Sequence, residues 1–306
     1  MKILVISSNL IGDTILSTGI IEHYYNNYPN SKFTFLIGPT AAQIYEHFPG
    51  LEKIIIIKKK RFNLHWIEMY LKIRKEKWDF VIDLRSSLLS FFLNTKNKYI
   101  FKKNNKLHHI EQLSNFFNFK ADKLYIHTNK SENNKVIDNI DSNFKHIVIF
   151  PGGNWNPKIW PANKFNLLLK KIITNYKNIK FIIVGSYSER DKYLSKIQED
   201  IDKDLFIDLM GEKLTLTSAY MKKSSLFIGN DSGLMHLSVA SNLKTIALFG
   251  PTNDKYYGHK NQNCFILRTK ENFEYFKKIN INREKSYMTS IEPNQIFDII
   301  VQNKLL

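Results

Sequence analysis

The sequence predicts an α/β fold with parallel sheets, on three observations. Short runs of β-branched and apolar residues alternate with segments of helical periodicity from the first residues onward, as in proteins whose parallel strands are joined by helices. This alternation occurs twice, with a polar stretch rich in Lys and Asn between the two series. The chain has 306 residues, 43% of them hydrophobic, enough for two medium-sized domains. We therefore predict two Rossmann-like domains facing a central cleft, residues 1–143 and residues 144–306.

The first alternating series covers residues 2–84. Apolar residues at positions 11, 15, 16, 20 and 24 recur at the spacing of one helical face, whereas the flanking runs are short and β-branched. Strands are predicted at residues 2–6, 33–37, 53–57 and 80–84, and helices at residues 11–28, 40–48 and 65–75. Residues 94–143 are weakly periodic. Within them, residues 110–119 favour a helix and residues 129–143 a polar connection between the domains that contains some helix.

The second series begins at residue 146. Strands are predicted at residues 146–150, 180–185, 226–229 and 245–249, and helices at residues 161–176, 189–200, 216–223 and 234–241. Pro293 begins a last amphipathic helix, which extends to about residue 303, because proline is favoured at the first helical position. No short tandem repeat is evident.

Composition restricts the class of protein. The single Cys264 excludes an internal disulfide and a thiolate metal cluster. The N-terminal "MKILVISSNL" is typical of a first strand rather than a signal peptide, and the apolar runs are too short to cross a bilayer. These features favour a cytoplasmic protein.

The net charge of +17 suits nucleic acid, anionic lipid or phosphorylated substrates as partners. A coding bias toward Lys, Asn and Ile explains it equally well. The basic runs at residues 58–61 and 102–106 are typical of solvated faces or loops. No zinc finger, RNP motif or helix-turn-helix signature accompanies them, and no nucleic-acid partner is expected.

The stretch "FIGNDSGLMHLSVA", residues 227–240, has an Asp-Ser-Gly turn where a predicted strand becomes a helix. Ligands of parallel α/β sheets bind at such turns, where helix N-termini present unpaired amides to phosphates. Asp231, Ser232 and Gly233 offer a carboxylate, a hydroxyl and backbone N–H groups, and His236 lies one turn later. A capping aspartate and a structural histidine are the alternatives.

Three further turns carry polar residues or glycines. In "SSNLIGDT", Gly12 allows close backbone approach, and Asp13 is either a reactive carboxylate or an acid favoured by the helix dipole. In "FPGGNWNPKIWPANKF", two glycines precede Lys158, which is either a lysine that a phosphate could contact or simply an exposed lysine after a Gly-Gly loop. The third, "IIVGSYSERDKY", is weak evidence alone. Neither a Walker loop nor a G-x-G-x-x-G fingerprint is present.

Taken in order, "IGDTILSTGII", "FPGGNWNPKIWP", "LMGEKLTLTSAYMKKSSLFIGNDSGLMHLSVA" and "IALFGPTN" resemble glycosyltransferase family 9, the ADP-heptose:lipopolysaccharide heptosyltransferases. The resemblance spans nearly the whole chain and is strongest at residues 209–252. It implies a GT-B fold whose C-terminal domain holds the donor nucleotide and whose N-terminal domain holds the acceptor. It also implies that the last helix, at about residues 292–303, packs back on the N-terminal domain.

The resemblance implies roles for individual residues. Asp13 matches the catalytic aspartate, with Gly12 beside it on the acceptor side. The residues that match donor-binding positions are Gly153, Asn154, Lys158, Leu214, Asp231, Ser232, Gly233, Leu234 and His236. Ser232 replaces the commoner threonine and keeps the hydroxyl.

The implied reaction is inverting transfer of a heptose, with ADP-heptose as substrate, to a phosphorylated, lipid-linked saccharide at the inner face of the inner membrane. Peripheral contact with that anionic surface is expected. Neither a cofactor nor a metal is expected, because no DxD pair or His cluster is convincing as a metal site and Lys158 can neutralise the diphosphate. The alternatives are a relative with another donor or acceptor, an epimerase of similar architecture, a relative that binds without turnover, and a basic nucleic-acid-binding protein.

Overall fold

The computed structural model describes residues 1–95, 97–104 and 106–306. The chain forms two compact units, Met1–His127 and Thr128–Leu306. Each unit contains one parallel sheet with helices between its strands, so the predicted α/β class with two parallel sheets is confirmed.

The first unit has a five-stranded sheet in the order β3-β2-β1-β4-β5, with every neighbouring pair parallel. Its elements are β1 (Lys2–Ile6), α1 (Ile11–Leu16), α2 (Thr18–Asn27), β2 (Lys32–Ile37), β3 (Leu51–Ile56), α3 (His65–Ile73), β4 (Phe80–Asp83), β5 (Asn97–Ile100) and α4 (His109–Phe117). Strands β2 and β3 lie on one side of β1, and the chain then crosses to β4 on the other side. The order therefore reverses between β1 and β4, and such switch points hold the ligands of doubly wound sheets.

The second unit has a six-stranded sheet in the order β11-β10-β9-β6-β7-β8, also parallel throughout. Its helices are α5 (Lys130–Asn139), α6 (Ala162–Asn175), α7 (Tyr187–Ile197), α8 (Leu214–Lys222), α9 (Gly233–Ala240), α10 (Asp254–Tyr257), α11 (Phe273–Phe276) and α12 (Pro293–Gln302). Its strands are β6 (Lys145–Phe150), β7 (Ile179–Gly185), β8 (Phe206–Met210), β9 (Leu226–Asn230), β10 (Thr245–Phe249) and β11 (Cys264–Arg268). The switch point of this sheet lies between β6 and β9.

The structure corrects several predicted elements. The predicted helix at residues 11–28 is two helices separated by Ser17, whose hydroxyl donates to the Thr14 carbonyl oxygen at 2.8 Å; such back-bonding bends helices. The predicted helix at residues 40–48 is a short 3-10 helix, Ala41–Tyr45. Three short strands at the edges of the sheets, β5, β8 and β11, were not predicted from the sequence.

The boundary between the units lies between His127 and Thr128, earlier than the predicted 143/144. The predicted polar connection contains helix α5, whose N-terminus is capped reciprocally by Asn129 and Glu132. Helix α5 packs against α8, and the Thr215 hydroxyl donates to the Glu132 carboxylate at 2.5 Å. These contacts make the segment part of the second unit, although only Val136 of its helix is buried.

Helix α12 packs against α6 in the second unit, and its packing on the N-terminal domain remains a prediction. Ile296 and Ile300 are fully buried in the core of the second unit. The Lys164 ammonium donates to the Thr289 carbonyl oxygen at 2.6 Å and bridges to the Glu292 carboxylate at 2.7 Å. The apolar face of α12 is therefore buried in the core of the second unit.

Replacing Ile296 with alanine is expected to lower the free energy of unfolding by about 2–5 kcal/mol, because a buried isoleucine leaves a cavity. Urea denaturation of the full chain measures this change. Val301, on the same helix but 49% exposed, is the control, and Val301→Ala should change stability by less than about 0.5 kcal/mol. Equal effects of the two variants would contradict the packing described above.

In the part of the chain that the structure describes, every helix is too short or too polar to span a lipid bilayer.

Candidate active site

The predicted diphosphate residues of the second unit follow β6 and β9, the two strands at its switch point. These strands are parallel neighbours in which Phe150 pairs with Gly229. The Gly-Gly loop and the Asp-Ser-Gly turn therefore leave the sheet side by side. Asn230 joins them, because its amide donates to the carbonyl oxygens of Pro151 and Gly152 at 3.1 and 2.9 Å.

Asp231 and Lys158 act on one another electrostatically at this edge. Asp231 is 5% exposed, and burial raises the pKa of its carboxyl group, whereas the Lys158 charge and the Thr252 hydroxyl lower it. Lys158 ends a short 3-10 helix, Asn156–Lys158, and is partly exposed. A cation that is open to solvent beside a buried carboxylate suits the binding of an anion.

Ser232 is the N-cap residue of α9, and its hydroxyl accepts from the Met235 amide at 3.3 Å. The earlier amides of Gly233 and Leu234 have no partner within the helix, as in the first turn of any helix. Ser232, rather than the aspartate for which the sequence left this role open, therefore caps the helix.

The loop glycines are held by Glu189, which lies in the stretch "IIVGSYSERDKY" and was not among the predicted site residues. The carboxylate of Glu189 accepts from the Gly153 amide at 2.6 Å and from the Ser186 amide and hydroxyl at 2.8 and 2.7 Å. It lies so close to Gly152 that a Cβ there would clash with it. The S-x-x-E spacing of Ser186 and Glu189 indicates only the start of α7, and it contains no signal for the contact with Gly153.

Other predicted donor residues are more dispersed. His236 is buried, and its Nδ1 lies 2.8 Å from Nε2 of His259, a partner that the sequence did not indicate. Asn154 is exposed on the loop. Leu214 is buried at the start of α8, which follows β8, two strands away from β6, and α8 packs against α9.

Asp13 lies at the switch point of the first unit, in the first turn of α1 after β1. Its carboxylate is nearly buried, with 8% of the side chain exposed, and the Lys103 ammonium donates to it at 2.6 Å. The Ser8 hydroxyl donates more weakly, at 3.4 Å. The N-cap residue of α1 is Leu10, so Asp13 does not cap this helix. Gly12 lies within the helix, partly exposed, and makes no turn.

Two cations at this edge were missed by the sequence analysis. Lys103 belongs to the basic run 102–106, which is typical of solvated loops, yet it follows the edge strand β5 and contacts Asp13. Arg85 follows β4, donates to the Asn9 side chain at 2.9 Å and lies over the Trp66 ring at 5.2 Å. Burial lowers its pKa. Neither contact has a local sequence signal.

The residues around Asp13 include His109 of α4. The pKa of His109 is lowered to about 4, chiefly by burial and also by the charges of Lys103 and His108, whereas the charge of Asp13 raises it. The imidazole is therefore neutral at pH 7, which leaves Lys103 as the cation that faces Asp13.

This burial predicts a pH dependence of stability. Between about pH 6.5 and pH 4 the unfolded chain binds a proton at His109 that the native protein does not bind. The contribution of His109 to the free energy of unfolding is therefore fully present above pH 6.5 and falls by about 3 kcal/mol as the pH falls to 4. Denaturation of the native protein and of His109→Gln across this range measures the free energy of unfolding, which should change less with pH in the variant. His23 and His146, whose pKa values burial also lowers, titrate in both proteins and cancel. Parallel curves would contradict the prediction.

Within the described residues, no group of three or more His, Cys, Asp or Glu side chains could hold a metal ion. Independence from metals and cofactors remains a prediction.

Known proteins resemble this chain over most of its length. The sequence model of glycosyltransferase family 9 (heptosyltransferase) matches residues 107–286. A lipooligosaccharide heptosyltransferase 2 of Campylobacter jejuni is 26% identical over 273 residues, 82% of each chain. The same enzyme of Haemophilus influenzae is 23% identical over 95% of each chain.

Solved structures show the same fold. A family 9 glycosyltransferase from Veillonella parvula superposes with a TM-score of 0.81 at 22% identity, covering 98% of this chain and 96% of its own. The Escherichia coli heptosyltransferase WaaC with ADP superposes with a TM-score of 0.75 at 14% identity, and the match covers 99% of this chain and 100% of that chain. The GT-B architecture predicted from the sequence is thereby confirmed.

Proposed function

Because this chain belongs to glycosyltransferase family 9, the heptosyltransferases, and is a glycosyltransferase, we propose that it transfers a heptose from ADP-heptose to a lipopolysaccharide-core acceptor. The acceptor is a phosphorylated, lipid-linked saccharide, and the anomeric centre is inverted. The observation that carries the proposal is the edge of the second unit, where the Gly-Gly loop, Asp231 and Lys158 come together after β6 and β9.

The second unit supplies the donor site. Lys158 and the first-turn amides of α9 offer positive charge to a diphosphate, which carries the growing negative charge as it leaves. Two related structures support an ADP-linked sugar, since the E. coli enzyme binds ADP in one and ADP-2-deoxy-2-fluoro heptose in another. In this chain the loop amide of Gly153 is already fixed by Glu189, so the loop needs little ordering when the donor binds.

The first unit supplies the base. In the proposed step the acceptor oxygen forms a bond to the anomeric carbon, the bond from that carbon to the diphosphate breaks, and the acceptor proton moves to Asp13. ADP leaves with the electron pair. Lys103 holds the carboxylate in position, and Arg85 is a second cation at the same edge for an anionic acceptor group. Positioned proton transfer contributes about 10²–10⁴-fold in rate.

Turnover with a panel of nucleotide sugars tests this proposal. Purified protein is mixed with ADP-heptose, an ADP-hexose or a UDP-hexose, each with and without a deacylated core acceptor, and nucleotide release and glycosylated product are measured. We expect product only with ADP-heptose and acceptor together. Efficient transfer from a UDP-hexose would reject the donor, and nucleotide binding without turnover in every arm would reject the activity.

A further inference from the structure

The first unit carries a surface whose exposed apolar side chains are not explained by folding. Seven of the seventeen large hydrophobic residues that are exposed among those described belong to residues 62–92. They include the three most exposed phenylalanines, at 91%, 63% and 71%. These seven residues, named here the apolar rim, are Phe62, Leu64, Ile67, Leu71, Leu88, Phe91 and Phe92.

Helix α3 has apolar residues on two opposite faces. One face, with Met69 and Ile73, is buried in the core beneath β1 and β4. On the other, Ile67 and Leu71 are 59% and 54% exposed and recur at the spacing of one helical face. An ordinary surface helix is polar on its outer face, so this second apolar face calls for a partner.

The two parts of the apolar rim are adjacent in space. A 3-10 helix, Leu88–Phe92, inserts Leu89 into the same core as α3 and leaves Phe91 and Phe92 exposed. The ring of Phe92 lies 6.2 Å from that of Tyr70 on α3. The 3-10 helix and α3 therefore present their exposed apolar side chains on neighbouring parts of the surface.

Phe62 gives a second indication. Its backbone φ is +52°, in the left-handed region, which is strongly disfavoured for a bulky non-glycine residue. Its ring is 91% exposed and contributes little to the core. A phenylalanine held outward at a conformational cost suggests a role outside folding.

The charge around the apolar rim identifies the kind of partner. Residues 58–77 contain eight lysines and arginines and two glutamates, a net charge of +6. Of the two glutamates, Glu68 bridges to Lys60 and Lys72. The basic residues that are exposed at the two ends of the segment are Lys58, Lys59, Lys60, Arg61, Arg74, Lys75 and Lys77.

We propose that the apolar rim and its flanking basic residues dock the protein on an anionic phospholipid bilayer. Leucine and phenylalanine on one side of a helix with lysine and arginine beside them characterise interfacial helices, and anionic headgroups attract such basic segments. Lysine is depleted in interfaces between proteins, which argues for lipid over a protein partner. The inference deepens the proposed function and rests on it only for the need to reach a lipid-linked acceptor.

Vesicle binding by the full chain tests the proposal. Sedimentation with phosphatidylcholine vesicles that contain phosphatidylglycerol should retain the protein, whereas phosphatidylcholine alone should retain much less, and added salt should weaken retention. The triple variant Phe62→Ser, Phe91→Ser, Phe92→Ser should bind about tenfold or more weakly, since three apolar anchors are lost. Arg74→Glu with Lys75→Glu should weaken binding in the same direction.

Matched variants in the second unit control for general surface effects. Ile137, Leu167 and Val301 are 63%, 54% and 49% exposed, so their combined replacement by serine removes three exposed apolar residues elsewhere. Lys177→Glu with Lys196→Glu changes the net charge by the same amount as Arg74→Glu with Lys75→Glu. Both controls should bind vesicles like the native protein.

Transfer measurements separate this inference from the proposed function. The triple variant should transfer heptose to a deacylated acceptor in solution at the native rate, and should lose transfer to the same acceptor embedded in anionic vesicles. Native-like vesicle binding by the triple variant would overturn the inference. The inference would also be overturned if the native protein did not bind vesicles but self-associated, and if the triple variant abolished that self-association. Absence of transfer in every arm would reject the proposed function and leave the vesicle result standing.

Discussion

Replacing Asp13 with asparagine is expected to reduce turnover by about 10²-fold or more while donor affinity changes little. Asparagine keeps the size of the side chain but is a very poor base. The buried carboxylate accepts a hydrogen bond from the Lys103 ammonium at 2.6 Å and does not cap α1. Loss of this carboxylate should therefore lower the rate of the chemical step more than the stability of the fold. Steady-state kinetics and titration with donor measure the two effects separately.

The control for this prediction is another acid in the first turn of a helix. Glu111 lies in the first turn of α4 and is exposed, so Glu111→Gln removes a helix-dipole interaction of about 0.3–1 kcal/mol without touching the candidate base. If Asp13 served only the helix, Asp13→Asn would resemble Glu111→Gln, with a small loss of stability and native turnover. That outcome would move the base elsewhere. Unfolding of Asp13→Asn would likewise favour a structural role.

Replacing Lys158 with alanine is expected to weaken donor binding by about 10–100-fold, the usual range for a hydrogen bond to a charged group. Turnover should fall as well, because in the proposed mechanism the lysine faces the negative charge that grows on the leaving diphosphate. The fold should survive, since Lys158 is partly exposed at the end of a 3-10 helix. Calorimetric titration with ADP and kinetics with the sugar nucleotide measure these changes.

The same variant has an electrostatic consequence. The Lys158 charge lowers the pKa of the buried Asp231 carboxyl, which burial raises. In Lys158→Ala that pKa should therefore rise, and any loss of donor binding on acidification should begin at higher pH. Lys196→Ala, an exposed lysine on α7, is the charge-matched control. Native affinity and turnover in Lys158→Ala would exclude this lysine from the donor site.

The sequence alone determined the fold class and most of the elements that carry the site. Period-two and period-3.6 patterns are local, so strands such as β6 and β9 and the helix after Ser232 could be read directly. The turn residues were likewise found because parallel strands must release their ligand-binding loops at one edge. The roles of these residues remain predictions.

Only the tertiary structure decided which distant residues meet at that edge. Lys103 contacts Asp13 across 90 positions, and Glu189 contacts Gly153 across 36. Local periodicity contains no signal for such pairs. Likewise, α12 has an apolar face whose partner its sequence does not specify, and the structure gives it α6. Sequence patterns state that a face must be buried or a charge must be compensated, whereas the partner depends on strand order and chain crossing, which are properties of the whole fold.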